Sequence, residues 1–447
     1  SSATVATTSP ASSTATATSA ATSSAAAATT TATSSAASAP VSSAASTSSA
    51  LVVTRQAGSI LYFAEFSGDQ MKAIDTLIGP YQQAHTGTKV QVIPVYDSAV
   101  SEMQKLTTLV VSGTPPDLIK WTGWASAMAQ NGFTTPLDAY VARDKFDLSQ
   151  YPQKLLQADG YYQGKLHALP FAYGGNGVAM VYNRTLFQNV GLPEPPAKWG
   201  DDSWTWDTMV AAAQKLNKLS GNTFSQVGLL QPGYYMDLPQ LWQTSWISSD
   251  LKTITCDSQP MIDCYTHYGD LSAKYHVSPM STDKTPDKGF LGGGVGMATI
   301  GGWEFTSFAK ATTLDFGFAP FPKVNVSGAQ IDPTILQLGT GKNVEGAWSL
   351  MQYLISGSRQ ALFENRVPLT PDAVTKWAGD LFSGRTVRAS VLVDAIPAAL
   401  PDDLILASKN WTTMSKAVDP AMTKLQDGKV TAETALTGLK PVLQALL

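Results

Sequence analysis

The sequence predicts an α/β protein of two domains behind a long polar N-terminal tract. Short apolar runs suited to strands alternate with segments whose apolar residues recur at helical spacing. At 447 residues the chain is too long for one simple core. Composition also changes near residue 50, from Ser, Ala and Thr to sequence dense in large apolar side chains.

The tract comes first. Up to about residue 50 the chain is nearly all Ser, Ala and Thr, and no charged residue precedes Arg55. Too little apolar surface is present to offset the entropy of ordering, so 1–57 is expected to be a disordered linker. A random coil of that length spans on the order of 40 Å. The chain reads as a mature exported form. A lipid anchor on a residue preceding Ser1 would give the linker a purpose; an unattached tail is the alternative.

The folded part opens with ILYFAEF (60–66), a buried strand, followed by Ser67-Gly68-Asp69 as a turn and helix cap. Met71, Ile74, Leu77, Ile78 and Tyr81 then follow at helical spacing, and Gly79-Pro80 is expected to kink or end that helix. KVQVIPV (89–95) is a second strand, a helix starts at Ser101, and DLIKW (117–121) is a third strand. That β-α-β-α-β order implies a parallel sheet with helices on its faces. A second such region contains GVAMVYN (177–183), a helix capped by Thr205, VGMATI (295–300), DFGFAPFP (315–322) and the helix GAWSLMQYLIS (346–356). Ligands of open α/β sheets bind beyond the carboxyl ends of the strands, so the residues directly after each strand are the candidates.

Several chemistries have no support in the sequence. The net charge of -4 and the lack of a basic stripe argue against nucleic acid. No apolar run reaches the length of a membrane span. The histidines His85, His167, His267 and His276 lack zinc-ligand spacing, so no metal site is expected. LGGGVGMATIGG carries neither phosphate-loop pattern, and no nucleotide cofactor is expected. No G-x-S-x-G elbow or Cys nucleophile suggests catalysis. A glycoside hydrolase is the enzymatic rival, with Asp201-Asp202 or Glu65 with Glu304 as its acids. Eight regular β/α units are not apparent, however. Cys256 and Cys264 are expected to form a local disulfide in an exported protein, with two free thiols as the alternative.

In order along the chain, LVVSGTPPDLIKW, NGFTTPLDAYV, GKLHALPFAYGGNGVAMVYNRTLFQNVGLPEPP, SWTWDTMVAAAQKL, GVGMATIGGWEFTSF and FGFAPFPK carry a family likeness. The chain resembles the extracellular solute-binding proteins of ABC sugar importers, the group that includes maltose-binding protein, from about Ile60 to Leu447. The resemblance implies an α/β, two-lobed periplasmic-binding-protein type II fold with a hinged interlobe cleft. It places lobe I at 58–172 plus 316–358 and lobe II at 173–315 plus 359–447. It also implies a monomer that captures a carbohydrate, an oligosaccharide above all, and hands it to membrane permease subunits at the outer face of the bacterial membrane. A binding protein for another small solute is the alternative.

Sugars offer apolar CH faces and a rim of hydroxyls, so their sites need flat rings and planar acceptors. Trp303, after VGMATIGG, matches the position where the family stacks an indole on sugar and ranks first. Trp121 and Trp124 end a strand on the cleft side. Glu65, Ser67 and Asp69 follow the first strand, Glu304 adjoins Trp303, and Tyr173 lies at the first crossing. Trp242, flanked by Asp237 and Gln243, is the aromatic expected from the second lobe. Trp206, Trp348 and Trp377 are read as core residues.

Overall fold

A computed structural model of the chain describes residues 53–95, 99–123, 125–174, 177–230, 235–287, 289–401, 403–408 and 410–447. Most of the expected linker, 1–52, and Trp124 lie outside the described residues. The end of that expectation, 53–57, is corrected. Arg55 pairs with the buried carboxylate of Asp117 and donates to the Ser59 carbonyl, and Val53 packs against the core.

Two sheets organise the rest. The first runs in the order Val90–Val95, Ile60–Glu65, Leu118–Thr122, Pro333–Gly339, Thr134–Thr135, with Leu169–Tyr173 also paired to Pro333–Gly339. Its first three strands are parallel, as the alternation of strands and helices predicts. Pro333–Gly339 enters antiparallel. Side chains alternate between two buried faces. Ile60, Tyr62 and Ala64 join one apolar cluster, while Leu61 and Phe63 join another with Ile93, Ile119, Trp121 and Ile335. A strand buried on both faces reads as a continuous apolar run, which is why 60–66 is legible.

The second sheet runs Phe316–Ala319, Ala179–Asn183, Val295–Ile300, Thr223–Leu229, Lys218–Ser220. It alternates likewise: Ala179 and Val181 face one cluster, Met180 and Tyr182 the other. The helix Trp206–Leu216 covers it, started by Thr205 in a reciprocal cap with Thr208. Helices Gln259–Ala273, Trp411–Gln426 and Ala432–Gln444 pack together over the same lobe.

The chain crosses between the sheets three times. The first crossing links Tyr173 to Ala179, the second links Ala319 to Pro333, and the third follows Glu364 toward the helix Pro371–Leu381. Two expected lobe boundaries therefore move. Phe316–Ala319 pairs with Ala179–Asn183, so it belongs to the second lobe rather than the first. The helix Arg359–Glu364 packs on Leu169–Tyr173, so the first lobe runs past 358. The third crossing is marked by the bridge Tyr173↔Val367.

Two local expectations also fail. Pro80 does not end its helix, which continues from Ile74 to Ala84; a break falls earlier, at Ala73. Leu77, Ile78 and Tyr81 on either side of the proline are buried, and that packing outweighs the one backbone bond the ring forfeits. Cys256 and Cys264 are free, buried thiols and not a disulfide. Cys264 sits inside the helix Gln259–Ala273, and the Cys256 thiol points elsewhere, donating to the Leu436 carbonyl at 3.3 Å. Burial pushes the Cys256 thiol up to about 12 and also raises the Cys264 thiol well above its ordinary value. Neutral, enclosed thiols are unreactive. Both should therefore resist a thiol reagent in the native protein and react after denaturation, with the intact mass under non-reducing conditions matching two free thiols. Rapid native labelling, or a mass two protons lighter, would contradict the structure.

Candidate functional site

The carboxyl ends of Ile60–Glu65 and Leu118–Thr122 carry an ion cluster. Lys120 is 1% exposed and pairs with Glu364 at 2.8 Å, itself 1% exposed. Its ammonium donates to the Glu65 carbonyl at 2.8 Å and lies 3.7 Å from the Glu65 carboxylate. Arg366 donates to Glu364 at 2.9 Å and to the Thr334 hydroxyl at 3.3 Å, with Glu65 at 3.8 Å. A buried pair is tolerated only when further bonds satisfy its charges. Glu65 is the loosely held member, partly exposed, with acceptor capacity left for a ligand.

Ser67 caps the helix Gly68–Lys72, accepting from the Gln70 N–H while Gln70 reaches back. Asp69 is exposed and pairs with Lys72 at 2.8 Å. The hydrogen bond from Lys72 is the main cause of its lowered pKa, and Lys310 from the second lobe adds to it. Capping and a surface ion pair account for both residues, while the influence of Lys310 places Asp69 at the rim between lobes.

Opposite lies the turn after Val295–Ile300. Gly302 stands where a Cβ would come within 2.5 Å of the Gly174 Cα, so the backbones of the turn and of the first crossing touch. Trp303 folds its ring over Gly301, where a Cβ would meet it at 2.6 Å. The ring remains 59% exposed. Among the described tryptophans it alone is exposed. Glu304 accepts from the Gly301 N–H at 2.7 Å, and burial raises its pKa against that bond. It lines a cavity of about 350 Å³ with Leu230, Phe290, Leu291 and Phe308.

Other candidates are buried. Trp121 is 8% exposed and packs in the apolar cluster behind the first sheet, so its ring is a core element rather than a free platform. Trp242 lies edge-on to Trp206 at 5.3 Å and beside His267 at 5.5 Å, inside the second lobe's core. These two expectations are corrected: an aromatic at a strand or turn end satisfies the pattern equally well when it faces inward. Gln243 is exposed, adopts a left-handed φ of 55°, and lines a cavity of about 480 Å³ with Lys154, Gln240 and Pro401. Trp206, Trp348 and Trp377 are core residues, as expected.

Sequence patterns missed a buried polar group near the crossings. Tyr173 is 1% exposed, and among the described residues its hydroxyl has no hydrogen-bond partner. The same holds for the Tyr151 hydroxyl, Asp159 Oδ2 and both amide atoms of Gln330. Burial raises Asp159 and Asp237, and the carboxylate of Asp332 raises both further. Asp403 beside Asp237 accepts from Ser245, from Gln240 and from the N–H groups of Trp246 and Ile405. Burial nonetheless pushes it up to about 7. Lys120 offered a sequence signal that went unread, a charge inside the apolar strand DLIKW. Asp159 and Gln330 offered none.

The possible enzymatic pair Asp201 and Asp202 is otherwise engaged. Asp201 accepts from Ser203, and Asp202 pairs with Lys323 at 2.5 Å.

Two α/β lobes joined by three crossings, with an exposed indole and a half-free carboxylate beside the hinge, define a cleft-type binding protein. The chain belongs to the bacterial extracellular solute-binding proteins, whose family model matches residues 64–360. It is 24% identical over 364 residues to a binding protein of Brucella abortus, covering 77% of this chain and 83% of that one. Among solved structures it is similar to an ABC substrate-binding protein from Listeria monocytogenes in complex with cycloalternan (TM-score 0.71, 19% identity, 87% of this chain and 98% of that one). It is likewise similar to the cyclic alpha-maltosyl-1,6-maltose binding protein from Arthrobacter globiformis (TM-score 0.69, 18% identity, 87% and 98%). These relatives are binding proteins. Among the described residues, no helix is long and apolar enough to cross a membrane.

The buried acids fix how stability depends on pH. Folded Asp403 keeps its proton to about pH 7, whereas the unfolded chain releases it near the ordinary value of 3.8. The native state binds the extra proton across that window, so stability falls as pH rises through it. Asp159 and Asp237 act in the same direction. Asp144, held by Arg143 and Trp348, and Asp427, held by Lys429 and Ser281, lie at about 2 and lose their contribution as pH falls below 3.8. The melting temperature should therefore peak at about pH 4 to 5 and decline toward about pH 8. Asp403→Asn should flatten the slope. A melting temperature that climbs steadily to neutral pH would rule this out.

Proposed function

We propose that the protein captures a carbohydrate, an oligosaccharide in particular, in the interlobe cleft for uptake by an ABC importer. The observation that carries this reading is Trp303. A ring left exposed beside the hinge, on a turn whose glycines touch the first crossing, offers a flat apolar face to the CH side of a sugar. Glu65 supplies acceptors for paired hydroxyls, with Lys120 and Arg366 beside it. The cavity beside Glu304 adds apolar walls with one carboxylate. The Listeria protein's complex with cycloalternan and the Arthrobacter protein's binding of cyclic alpha-maltosyl-1,6-maltose support the class of ligand. The solute is bound and released unchanged, and the closed form is what membrane permease subunits receive. The binding unit works at the outer face of the membrane. Closure follows from the ligand's greater affinity for the closed than for the open state.

Thermal-shift screening against an oligosaccharide panel should single out ligands that raise the melting temperature, since they bind only the native state. For such a ligand, Trp303→Ala should weaken binding by about 2 kcal/mol or more while leaving the fold intact. Calorimetry showing unchanged affinity would remove Trp303 from the site. Incubation with the same sugars should yield stoichiometric binding without hydrolysis; turnover would instead favour a glycoside hydrolase.

A further inference from the structure

Arg366 stands at a junction that the family likeness does not assign. It lies on the third crossing, one residue before Val367, whose carbonyl accepts from the Tyr173 N–H at 2.9 Å. Its guanidinium donates to Thr334 at the end of the second crossing. A terminal nitrogen fills the space where a Cβ on Gly174 would sit, 2.7 Å away, and Gly174 is on the first crossing. The same group neutralises Glu364 and stands 3.8 Å from Glu65. One rigid, planar fork thus meets all three connections between the lobes and the cleft carboxylate. Arginine suits this role because its donors point in fixed, divergent directions, which a lysine ammonium cannot reproduce.

The crossings are themselves stitched together. Gly174 donates to the Asp332 carbonyl at 2.9 Å, and Gly177 and Gln330 exchange bonds at 3.1 and 2.9 Å. Lobe rotation has to change backbone angles within these short segments, because the sheets on either side are packed on both faces. Whatever clamps the segments therefore sets the resistance of the hinge.

We propose that Arg366 is a positioning residue that ties Glu65 to the three crossing segments, so that the binding carboxylate and the hinge move as one unit. Glu364, shared between Arg366 and Lys120, holds the fork from behind. A ligand that engages Glu65 then biases the hinge directly, and by reciprocity hinge closure changes the affinity of Glu65 for its ligand. The coupling holds whatever solute the cleft takes, so it stands apart from the choice of carbohydrate.

Hydrogen exchange on the full, ligand-free chain tests it, alongside small-angle scattering. Arg366→Gln should speed exchange at the Tyr173, Gly174, Gly177 and Gln330 amides by about tenfold, leave strand Ile60–Glu65 protected, and change the radius of gyration. Arg366→Lys should recover only part of that protection. Glu65→Gln should loosen the same four amides by about threefold, although residue 65 is on no crossing segment. The proposal is overturned if Glu65→Gln leaves the crossings unchanged, if the lysine variant restores them fully, or if Arg366→Gln loosens the whole first lobe uniformly. Should Arg366→Gln fail to fold, the Glu65 and lysine variants still decide the question.

Discussion

The structure depends on the pairing of its three crossing segments. Each sheet is buried on both faces, and each lobe has its own covering helices. What makes the two lobes one binding unit is a few backbone bonds, Tyr173 to Val367, Gly174 to Asp332, and Gly177 with Gln330. These bonds also explain the glycines. At Gly174 and Gly302 a side chain would collide with the guanidinium of Arg366 or with backbone, so the turn that bears Trp303 can rest directly against the first crossing. The position of the indole is thus a consequence of hinge packing, and the proposed ligand platform and the hinge share the same few residues.

Among the described residues, several buried polar groups lie near that junction without a protein partner, on Tyr151, Asp159, Tyr173 and Gln330, and an unpartnered buried donor or acceptor costs about 1–3 kcal/mol. The nearby cations, Lys120 and Arg366, are already committed to Glu364 and Glu65. Burial, with the Asp332 carboxylate adding to it, raises the pKa of both Asp159 and Asp237. A junction of this kind is not optimised for rigidity. Strong ion pairs and unsatisfied groups side by side fit a hinge whose alternative arrangement hydrates what this one encloses.

Much of this was legible in the chain. The strands at 60–66, 89–95, 117–121, 177–183 and 295–300 announce themselves as short apolar-rich runs, most nearly continuous in 60–66 where both faces are buried, and each is present to within a residue or two at its ends. The Thr205 cap is present too. Pro80 misled because proline propensity is local, whereas Leu77, Ile78 and Tyr81 are fixed by the sheet below them. Trp121 and Trp242 misled because a residue's place at the end of an element does not say which way its side chain points. The near spacing of Cys256 and Cys264 invited a bridge, but one lies in a helix and the other donates to Leu436. The second-lobe boundary at 316 failed for a related reason. An apolar strand declares itself as a strand, but not which sheet it joins, and Phe316–Ala319 joins the nearer neighbour, Ala179–Asn183.

Why Trp303 in particular remains outside a core can be argued from the same packing. Large apolar side chains are normally withdrawn from water, and Trp206, Trp246, Trp348 and Trp377 all are. Trp303 begins the turn leading into the helix Phe305–Lys310, and Phe305 and Phe308 on that helix fill the core beneath it. With those positions taken, the indole has only the surface of Gly301 to lie on, which supports one face and leaves the other open. Glu304 then closes the turn by bonding back to the Gly301 N–H. A flat apolar ring left open on such a turn is the feature on which the proposed carbohydrate reading rests.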